Sequence, residues 1–534
     1  MSASPAPPSE NPSELVNFYN HTLSSCLDQL APIRTKYITF KHSAPWYTSE
    51  LRRMKAHGCQ LEQLCKKTNL NVHRQAYAHH LHRYNDAIKS SSFNPKVLFS
   101  TVNKLLKPYV SLEQRFLRVK GTKTLLVSAY QEHRTGKKGV SKESWVPSPT
   151  DLTHWAHFLL LCYQVRVNAV ALRSQRASYV CSLCCHGKLY ITEGLQRIHQ
   201  DHFGFAYGMA HILCDLPLHC KTASYIAVTS AAASAENNVT EFFEVRNQEA
   251  KSGSFPYNFT TCFSTMFNFN NLLQLVQSLE MLQLLGVDRV VIYKTSYSPE
   301  VKHLLNYYIQ KGYVEVIDWP MIRYLNVSQS WRPDLSPGDI HYYGQIAALN
   351  DCVYRYMYKS KYVALHDPDE LILPQSVNSW LELLPLLEKR YGKDKCYKFE
   401  NNVFHNNIML PPPSFQTLPP ESRWQKVSGV NILAHLYREP VNGSNVALTN
   451  FKIIVNPRVV FEATVHGLLS PGGICYMVDR KVARMYHTRQ PMQKGLKPEQ
   501  LIYDGRLLNY SPQLTSAVNT VLTESGLLPQ DSVV

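Results

Sequence analysis

The chain has 534 residues, a length typical of about three domains, or of two domains with linkers. Its content of 44% hydrophobic and 18% charged residues excludes wholesale disorder, and 22 glycines and 31 prolines without a period exclude a collagen-like or low-complexity chain. The 56 Lys and Arg against 40 Asp and Glu give a net charge of +16, which favours an acidic partner such as nucleic acid, a membrane surface or a phosphorylated substrate.

The first segment, residues 1–110, is predicted to form a basic helical arm. It holds 14 Lys and Arg against 6 Asp and Glu, so half of the net charge lies in a fifth of the chain. Between residues 49 and 91 the apolar residues recur at spacings near three, four and seven, which is typical of an amphipathic helix. Two interpretations stay open: a solvated helical hairpin without a partner, and an arm that binds nucleic acid through its charge.

Two stretches of this arm carry a resemblance, namely 44–53 (APWYTSELRR) and 94–106 (NPKVLFSTVNKLL). They resemble the connector between endonuclease and reverse transcriptase in the polyprotein of LINE-type retrotransposons, over about residues 10–108. The resemblance includes neither the endonuclease's acidic and histidine residues nor the polymerase's Asp-Asp motif, so it implies no catalysis. We interpret the segment as an exonised insertion or a gene-model fusion.

Residues 111–255 are predicted to form the first part of a transferase. Strand-like runs stand at 124–130 and 165–172. The stretch between them has no alternation over about 140–164 and contains two prolines. We interpret this stretch as an insertion into a hairpin or loop.

The thirteen cysteines do not make a disulfide-dense scaffold, and their odd number leaves at least one without a partner in the chain. Cys181 and Cys184 have the spacing that begins a zinc site, but Cys214 and Cys220 are not spaced to complete one. The cysteines are therefore predicted to be lumenal disulfides or plain thiols, with structural zinc as the alternative.

Asn-x-Ser/Thr sequons favour a secretory lumen. They stand at Asn20, Asn238, Asn258, Asn326, Asn442 and Asn509. Against this, the first residues (MSASPAPPSENPSE) have neither the basic nor the apolar region of a signal peptide. The longest apolar run, at 155–165, has roughly half of the ~20 residues that a membrane span needs. No route into the lumen is visible, and this conflicts with the sequons.

Residues 256–500 hold the clearest periodic pattern and are predicted to form the catalytic domain, with 501–534 as a C-terminal tail. Strand-like and helix-like segments alternate along its first part. They lie at 259–266 (strand), 272–285 (helix), 288–293 (strand), 300–309 (helix), 314–317 (strand), 345–358 (helix) and 361–365 (strand). This alternation predicts an α/β fold with a mostly parallel sheet, whose ligands bind at the carboxyl ends of the strands.

An acidic cluster follows the last of these strands, with Asp367 and Asp369 separated by Pro368. Two carboxylates two residues apart in an extended segment point to the same side, so both can reach one hard cation. Such a cation bridges phosphate oxygens and neutralises a leaving diphosphate. Asp-x-Asp triplets are also common in solvated turns, and the position after a buried strand is what favours the functional interpretation.

Two further segments contain candidate ligands. His487 is a candidate third metal ligand, because imidazole suits manganese as well as zinc, and Arg489 is a candidate for bidentate contact with phosphate. The alternative for a lone histidine near the end of a domain is an ordinary surface residue. His466, in a strand-like segment followed by a glycine, is a third feature of this kind.

Taken together and in this order, the motifs resemble those of glycosyltransferase family 92. They are 284–293 (LLGVDRVVIY), 313–320 (YVEVIDWP), 341–345 (HYYGQ), 350–352 (NDC), 367–370 (DPDE), 465–467 (VHG) and 487–489 (HTR). The resemblance spans about 120–500 and is strongest over 257–490. It implies a GT-A nucleotide-sugar-binding fold, a UDP-sugar donor with UDP-galactose the best-known case, a divalent metal, usually Mn²⁺, and lumenal, Golgi-type action on glycans with inversion.

The resemblance also implies roles for individual residues, beginning with the catalytic pair Asp367 and Asp369, which would hold the metal and the diphosphate together with His487. Glu370 would orient the turn, or else cap the next helix as a surface carboxylate. The donor-binding side chains implied are Ser264, Thr265, Tyr293, Gln345, Asn350, Asp351 and Arg489.

The chain departs from the family pattern at several points. Thr488 stands where an aromatic residue is usual between the histidine and the arginine. The amino-terminal membrane anchor usual in the family is replaced here by the retrotransposon-like segment. The general base is not assigned, and Glu400 and Glu462 are the candidates.

The leading hypothesis is therefore a metal-dependent glycosyltransferase that moves a hexose, most simply galactose, from a UDP-sugar to a glycan or glycoprotein acceptor. The alternatives are a family member without catalytic activity and a protein that binds nucleic acid through its basic arm.

Overall fold

A computed structural model describes residues 116–132, 164–217, 219–232, 241–249, 253–413, 423–441, 450–469, 474–493 and 495–528. The predicted helical arm, on which the nucleic-acid hypothesis and the retrotransposon resemblance depend, lies outside these residues. The same holds for the predicted insertion apart from its last residue, Gln164. None of the helices in the described ranges is both long and apolar enough to cross a membrane.

The described chain is rich in strands. The strands are β1 (Leu117–Val119), β2 (Thr124–Glu132), β3 (Gln164–Leu172), β4 (Tyr179–Cys185), β5 (Lys188–Ile198), β6 (Tyr207–Asp215), β7 (Tyr225–Ser230), β8 (Phe243–Arg246), β9 (Tyr257–Met266), β10 (Arg289–Lys294), β11 (Val314–Asp318), β12 (Ser360–Leu365), β13 (Glu370–Pro374), β14 (Cys396–Phe399), β15 (Asn401–His405), β16 (Tyr437–Arg438), β17 (Lys452–Val455), β18 (Glu462–Thr464), β19 (Gly467–Leu469), β20 (Cys475–Met477), β21 (Ala483–Arg489) and β22 (Ile502–Tyr503). The α-helices are α1 (Leu272–Leu284), α2 (Pro299–Gln310), α3 (Gln345–Arg355), α4 (Trp380–Tyr391) and α5 (Ser511–Glu524).

The first eight strands form a closed sheet. Neighbouring strands follow the order β2, β3, β6, β5, β4, β7, β8, and a parallel pairing of β8 with β2 closes the ring, with β1 added beside β2. Closure leaves no unpaired edge strand in the ring. Both strands predicted in this region are confirmed as β2 and β3, and they are antiparallel neighbours, as the arms of a hairpin are.

A second sheet contains the predicted strand and helix alternation. Its strands follow the order β11, β10, β9, β12, β17, β14, β20. The first four are parallel to their neighbours, which confirms the strands and helices predicted between 259 and 365. β17 is antiparallel to both β12 and β14, so the sheet as a whole is mixed.

A third sheet, in the order β13, β21, β15, β16, β22, positions the acidic cluster. β13 begins at Glu370, directly after the Asp-x-Asp triplet, and pairs antiparallel with β21. In this register Glu370 lies opposite His487. Residues far apart in the sequence thus meet at one end of a strand pair.

Disulfides cross-link both halves of the described chain. Cys181 pairs with Cys214, Cys185 with Cys220, Cys262 with Cys352, and Cys396 with Cys475. Cys184 is disulfide-bonded as well, so the zinc alternative for the Cys181 and Cys184 motif is wrong, because neither sulfur is left as a thiolate. Persistent disulfides are typical of oxidising compartments, in agreement with the sequons.

Candidate functional site

The acidic turn, defined as residues Asp367–Glu370, joins β12 to β13 at the carboxyl end of the parallel strands. The turn is closed by its own groups: the Glu370 N–H donates to the Asp367 carbonyl oxygen at 3.1 Å, and the Asp367 N–H donates to Glu370 Oε2 at 2.8 Å. Glu370 is almost fully buried. Of the two interpretations of this residue, the one in which it orients the turn is therefore confirmed.

Both carboxylate oxygens of Asp367 have donors. Ser264 Oγ, near the end of β9, donates to Oδ1 at 2.6 Å, and Lys452 Nζ lies 3.0 Å from Oδ2. Burial alone would raise the pKa of Asp367, but the Lys452 ammonium and the Ser264 hydroxyl outweigh it and lower the pKa to about 2. Gln345 Nε2 in turn donates to Ser264 Oγ at 2.8 Å. Three of the predicted site residues are thus joined in one hydrogen-bonded chain.

Asp369 and His487 form a second pair. His487 Nε2 lies 3.2 Å from Asp369 Oδ2, although the residues are 118 positions apart in the sequence, and His487 Nδ1 lies 3.5 Å from Glu370 Oε1. Burial would lower the pKa of His487, but the carboxylates of Asp369 and Glu370 outweigh it and raise the pKa. The Asp369 side chain is 37% exposed and that of His487 only 7%. In this pair the carboxylate of Asp369 is accessible to solvent, and the imidazole of His487 is buried.

Thr265 contacts a turn with unusual backbone geometry that precedes α3. Tyr342, Tyr343 and Gly344 all have positive φ, at 35°, 53° and 77°, a region that residues with a side chain rarely adopt. Thr265 Oγ1 donates to the Tyr342 carbonyl oxygen at 3.0 Å, and Trp319 Nε1 donates to that of Tyr343 at 2.8 Å. These two bonds hold the turn in place.

Tyr342 is half-buried and senses the charges of the acidic turn and its neighbours. Burial raises the pKa of the Tyr342 hydroxyl, and the charge of Asp367 raises it further. The charges of Arg489 and Lys452 act in the opposite direction, but the pKa stays above its ordinary value. Tyr342 and Lys452 are site residues that the sequence analysis missed, although Tyr342 stands within one of the family motifs.

Replacing Gly344 by Ala is expected to lower the free energy of unfolding by about 1–2 kcal/mol, because L-residues are strained at positive φ. A Cβ at this position would also come within 2.7 Å of Met321 Cε. Gly312→Ala is the matched control, since Gly312 has φ +74° with no neighbouring atom within 4 Å of its Cβ position. Urea unfolding should show a larger loss for Gly344→Ala. Equal losses would mean that the contact with Met321 has no effect.

Acidification is expected to destabilise the fold through His341, which stands directly before this turn. Its side chain is 1% exposed, and neither ring nitrogen has a hydrogen-bond partner among the described residues. Burial, aided by the charges of His199 and His202, lowers its pKa from 6.5 to about 3. The unfolded chain therefore binds the proton first, and stability falls as the pH drops below about 6.5 towards 3.

At pH 5 the loss from His341 alone amounts to about 2 kcal/mol relative to pH 7. Urea unfolding measured at both pH values for the wild type and for His341→Gln tests this expectation. The variant should lose less stability between the two pH values. If both proteins show the same difference, other groups carry the pH dependence.

Arg489 is the last residue of β21, whose end lies beside the acidic turn. It is half-buried, and its Nε–H group has no hydrogen-bond partner among the described residues. A guanidinium with a free donor is suited to a phosphate or carboxylate of a ligand. The structure thus brings Asp367, Asp369, His487 and Arg489 to one region, as predicted, with Ser264, Thr265 and Gln345 alongside.

Tyr293 and Asp351, both predicted to contact the donor, are instead parts of a fully buried polar cluster. Asp351 accepts hydrogen bonds from the hydroxyls of Tyr130 and Tyr293, each at 2.6 Å, and pairs with Arg355 at 2.8 Å. Burial would raise the pKa of Asp351, but the charge of Arg355 and the hydrogen bonds outweigh it and lower the pKa. The cluster joins the closed sheet to α3, and the structure does not bring its members to the acidic turn.

Asn350 is likewise enclosed. Its amide donates to the Ala463 carbonyl oxygen at 2.8 Å and accepts from the Ala463 N–H at 2.9 Å, which fastens α3 to β18. Only Gln345, at the start of α3, reaches the site. Asn350 and Asp351 stand about 7.5 Å and about 9 Å further along the helix axis, because each residue adds 1.5 Å.

Of the remaining candidates, Glu400 and Glu462 are also buried, and His466 is half-buried. Glu400 pairs with Arg480 at 2.8 Å, and Glu462 with Arg197 at 3.1 Å. The ring of His466 is bonded to the Phe451 carbonyl oxygen at 3.0 Å. Burial and the charge of Lys452 lower the pKa of His466 to about 4, so the ring is neutral at physiological pH.

The donor set fits a divalent cation only in part. Within the described ranges, no group of three or more His, Cys, Asp or Glu side chains is arranged to hold a metal ion. The predicted three-ligand shell is therefore not formed, since Asp367 is engaged by Ser264 and Lys452. Asp369 and His487 offer a carboxylate oxygen and an imidazole nitrogen, a pair that Mn²⁺ accepts.

Comparisons with known proteins agree with the motifs. The family model described as glycosyltransferase family 92 matches residues 257–523, which is half of the chain. A glycosyltransferase family 92 protein of Caenorhabditis elegans is 30% identical over 139 residues, which cover 26% of this chain and 26% of that protein. The match thus spans only about a quarter of this curated relative.

Two solved structures are also similar. TarS of S. aureus (residues 1–349, with UDP) is 12% identical at a TM-score of 0.23, over 50% of this chain and 65% of that one. Glucosyl-3-phosphoglycerate synthase of Mycobacterium tuberculosis, with Mn²⁺, UDP and glucosyl-3-phosphoglycerate, is 10% identical at a TM-score of 0.20, over 52% of this chain and 82% of that one. Scores this low do not establish a shared fold.

Proposed function

Since the chain belongs to glycosyltransferase family 92, we propose that it is a metal-dependent hexosyltransferase with a GT-A fold. It transfers galactose from UDP-galactose to a glycan or glycoprotein acceptor, with inversion at the anomeric carbon. The observation that carries this proposal is the pairing of Asp369, within the acidic turn, with His487, at the carboxyl end of parallel strands. That end is where ligands bind in open α/β sheets.

The side chains around the turn suit a nucleoside diphosphate sugar. Asp369 and His487 would hold the divalent cation, and a cation held there would neutralise charge on the diphosphate leaving group. Arg489 has a free donor for a phosphate oxygen. Gln345 and Ser264 keep Asp367 in a fixed orientation. Tyr293, Asn350 and Asp351 have no role in this proposal other than support of the scaffold.

The proposed compartment is the lumen of the secretory pathway, most simply the Golgi. Its support is the set of disulfides together with the exposed sequon asparagines Asn258, Asn326 and Asn509. Treatment of the protein expressed in eukaryotic cells with an N-glycosidase should lower its apparent mass. No change in mass would contradict a lumenal location.

The deciding experiment is a donor-panel assay on the full chain, with and without Mn²⁺. UDP release in the presence of a glycan acceptor is expected to be fastest with UDP-galactose and to be lost on removal of the metal with EDTA. NMR of the product should show inversion at the transferred anomeric carbon. Binding of UDP without turnover of any donor in the panel would instead support a family member without catalytic activity.

A further inference from the structure

Lys452 has a place in the site that none of the motifs indicated. It begins β17, its side chain is only 5% exposed, and its Nζ lies 3.0 Å from Asp367 Oδ2 and 3.1 Å from Glu370 Oε2. Both carboxylates belong to the acidic turn, and Glu370 Oε2 also accepts the Asp367 N–H. The ammonium group therefore sits inside the turn and ties its first carboxylate to its last.

This contact divides the carboxylates of the turn into two kinds. Asp367 and Glu370 share a buried cation, and the second oxygen of Asp367 is occupied by Ser264 at 2.6 Å. Asp369 has no lysine or arginine partner among the described residues, and its contacts are His487 and solvent. Because their charge is already paired with the buried ammonium of Lys452, Asp367 and Glu370 attract a second cation less strongly than Asp369 does.

We infer that Lys452 is a positioning residue that keeps Asp367 and Glu370 away from the metal and leaves Asp369 and His487 as the protein ligands. The inference rests on the proposed function, because it concerns the cation of the donor complex. A cation with two protein ligands keeps most of its coordination positions for water and diphosphate oxygens. The free enzyme therefore binds Mn²⁺ weakly, and UDP, by supplying oxygens, tightens the binding.

The test is a Mn²⁺ titration of the full chain, with free Mn²⁺ followed by electron paramagnetic resonance, in the absence and in the presence of UDP. Lys452→Met should tighten Mn²⁺ binding without UDP by about tenfold or more, because it releases two carboxylates as ligands and makes the site more negative. The enhancement by UDP should shrink by a similar factor. A merely structural lysine predicts the opposite, since a disordered site binds cations more weakly.

Lys398→Met is the matched control, because Lys398 lies on the neighbouring strand β14 with its Nζ over the ring of Phe451, 4.6 Å from the centroid. It should leave Mn²⁺ binding unchanged. If Lys452→Met fails to fold, the double variant Lys452→Met with Glu370→Gln removes one of the two carboxylates left unpaired. The double variant should still bind Mn²⁺ more tightly than the wild type.

The outcomes separate this inference from the proposed function. If wild-type protein binds Mn²⁺ with UDP, and the Lys452 variants bind it no more tightly without UDP, the inference is wrong while metal dependence stands. If the wild-type protein binds no Mn²⁺ even with UDP, and Asp369→Asn leaves the rate of UDP release unchanged, the proposed metal dependence is wrong. The inference about Lys452 is then wrong as well.

Discussion

Asp369→Asn is expected to lower the rate of UDP release from UDP-galactose by about 100-fold or more, because preorganised charge at a leaving group is among the largest contributions to catalysis. Asp369 has the exposed carboxylate of the acidic turn, 3.2 Å from His487 Nε2. An amide keeps the shape of the side chain but lacks the charge that a divalent cation requires. Steady-state release of UDP at saturating Mn²⁺ measures the effect.

Asp334→Asn is the control for this prediction, since Asp334 is an exposed aspartate whose one ion-pair partner among the described residues is Arg332 in the same loop. Its rate should equal that of the wild type. Urea unfolding should also show that the Asp369 variant is fully folded under the assay conditions, so that its loss is one of chemistry. Undiminished turnover by Asp369→Asn would contradict the proposed mechanism.

Asp351→Ala is expected to destabilise the protein by about 3–5 kcal/mol, the usual result of removing one partner of a buried ion pair. The change leaves the Arg355 guanidinium buried without its carboxylate and takes the acceptor from the hydroxyls of Tyr130 and Tyr293. Urea unfolding followed by fluorescence measures the loss.

The double variant Asp351→Leu with Arg355→Met tests the cause, because replacing a whole buried pair with apolar residues recovers much of the stability. In conditions where the single variant is folded, its KM for the donor should equal that of the wild type. A stable Asp351→Ala protein with a raised donor KM would instead restore the donor-binding role that the family resemblance implies for Asp351.

The strands and helices between 259 and 365 could be predicted because hydrophobic periodicity is a local property. A strand that is buried on both faces contains a continuous apolar run, and an amphipathic helix repeats its apolar residues near every third and fourth position. Asp367 and Asp369 could be located for the same reason, since they directly follow such a run. The mixed order of the sheet could not, because β17 follows β12 after almost ninety residues and joins it antiparallel.

The contents of the site depended on contacts between distant segments. Lys452 could not be recognised as a site residue from the sequence, because a lysine before an apolar run is ordinarily a solvated strand end. Only the pairing of β17 with β12 brings Lys452 to the acidic turn. For a similar reason, the hydrogen bond between Tyr293 and Asp351 could not be predicted from the sequence. The hydroxyl of Tyr293 and the carboxylate of Asp351 meet where the closed sheet packs against α3.

The sequence by itself determined the α/β alternation, the acidic turn at a strand end and the family, because these follow from local periodicity and from motifs that are contiguous in the chain. Only the tertiary structure decided which polar residues surround that turn. The register of β13 and β21 places His487 opposite Glu370. Lys452 forms an ion pair with Asp367, and Asp351 is fully buried. The physical reason is that periodicity shows that a residue is buried, whereas the partner it is buried against depends on how distant strands pair.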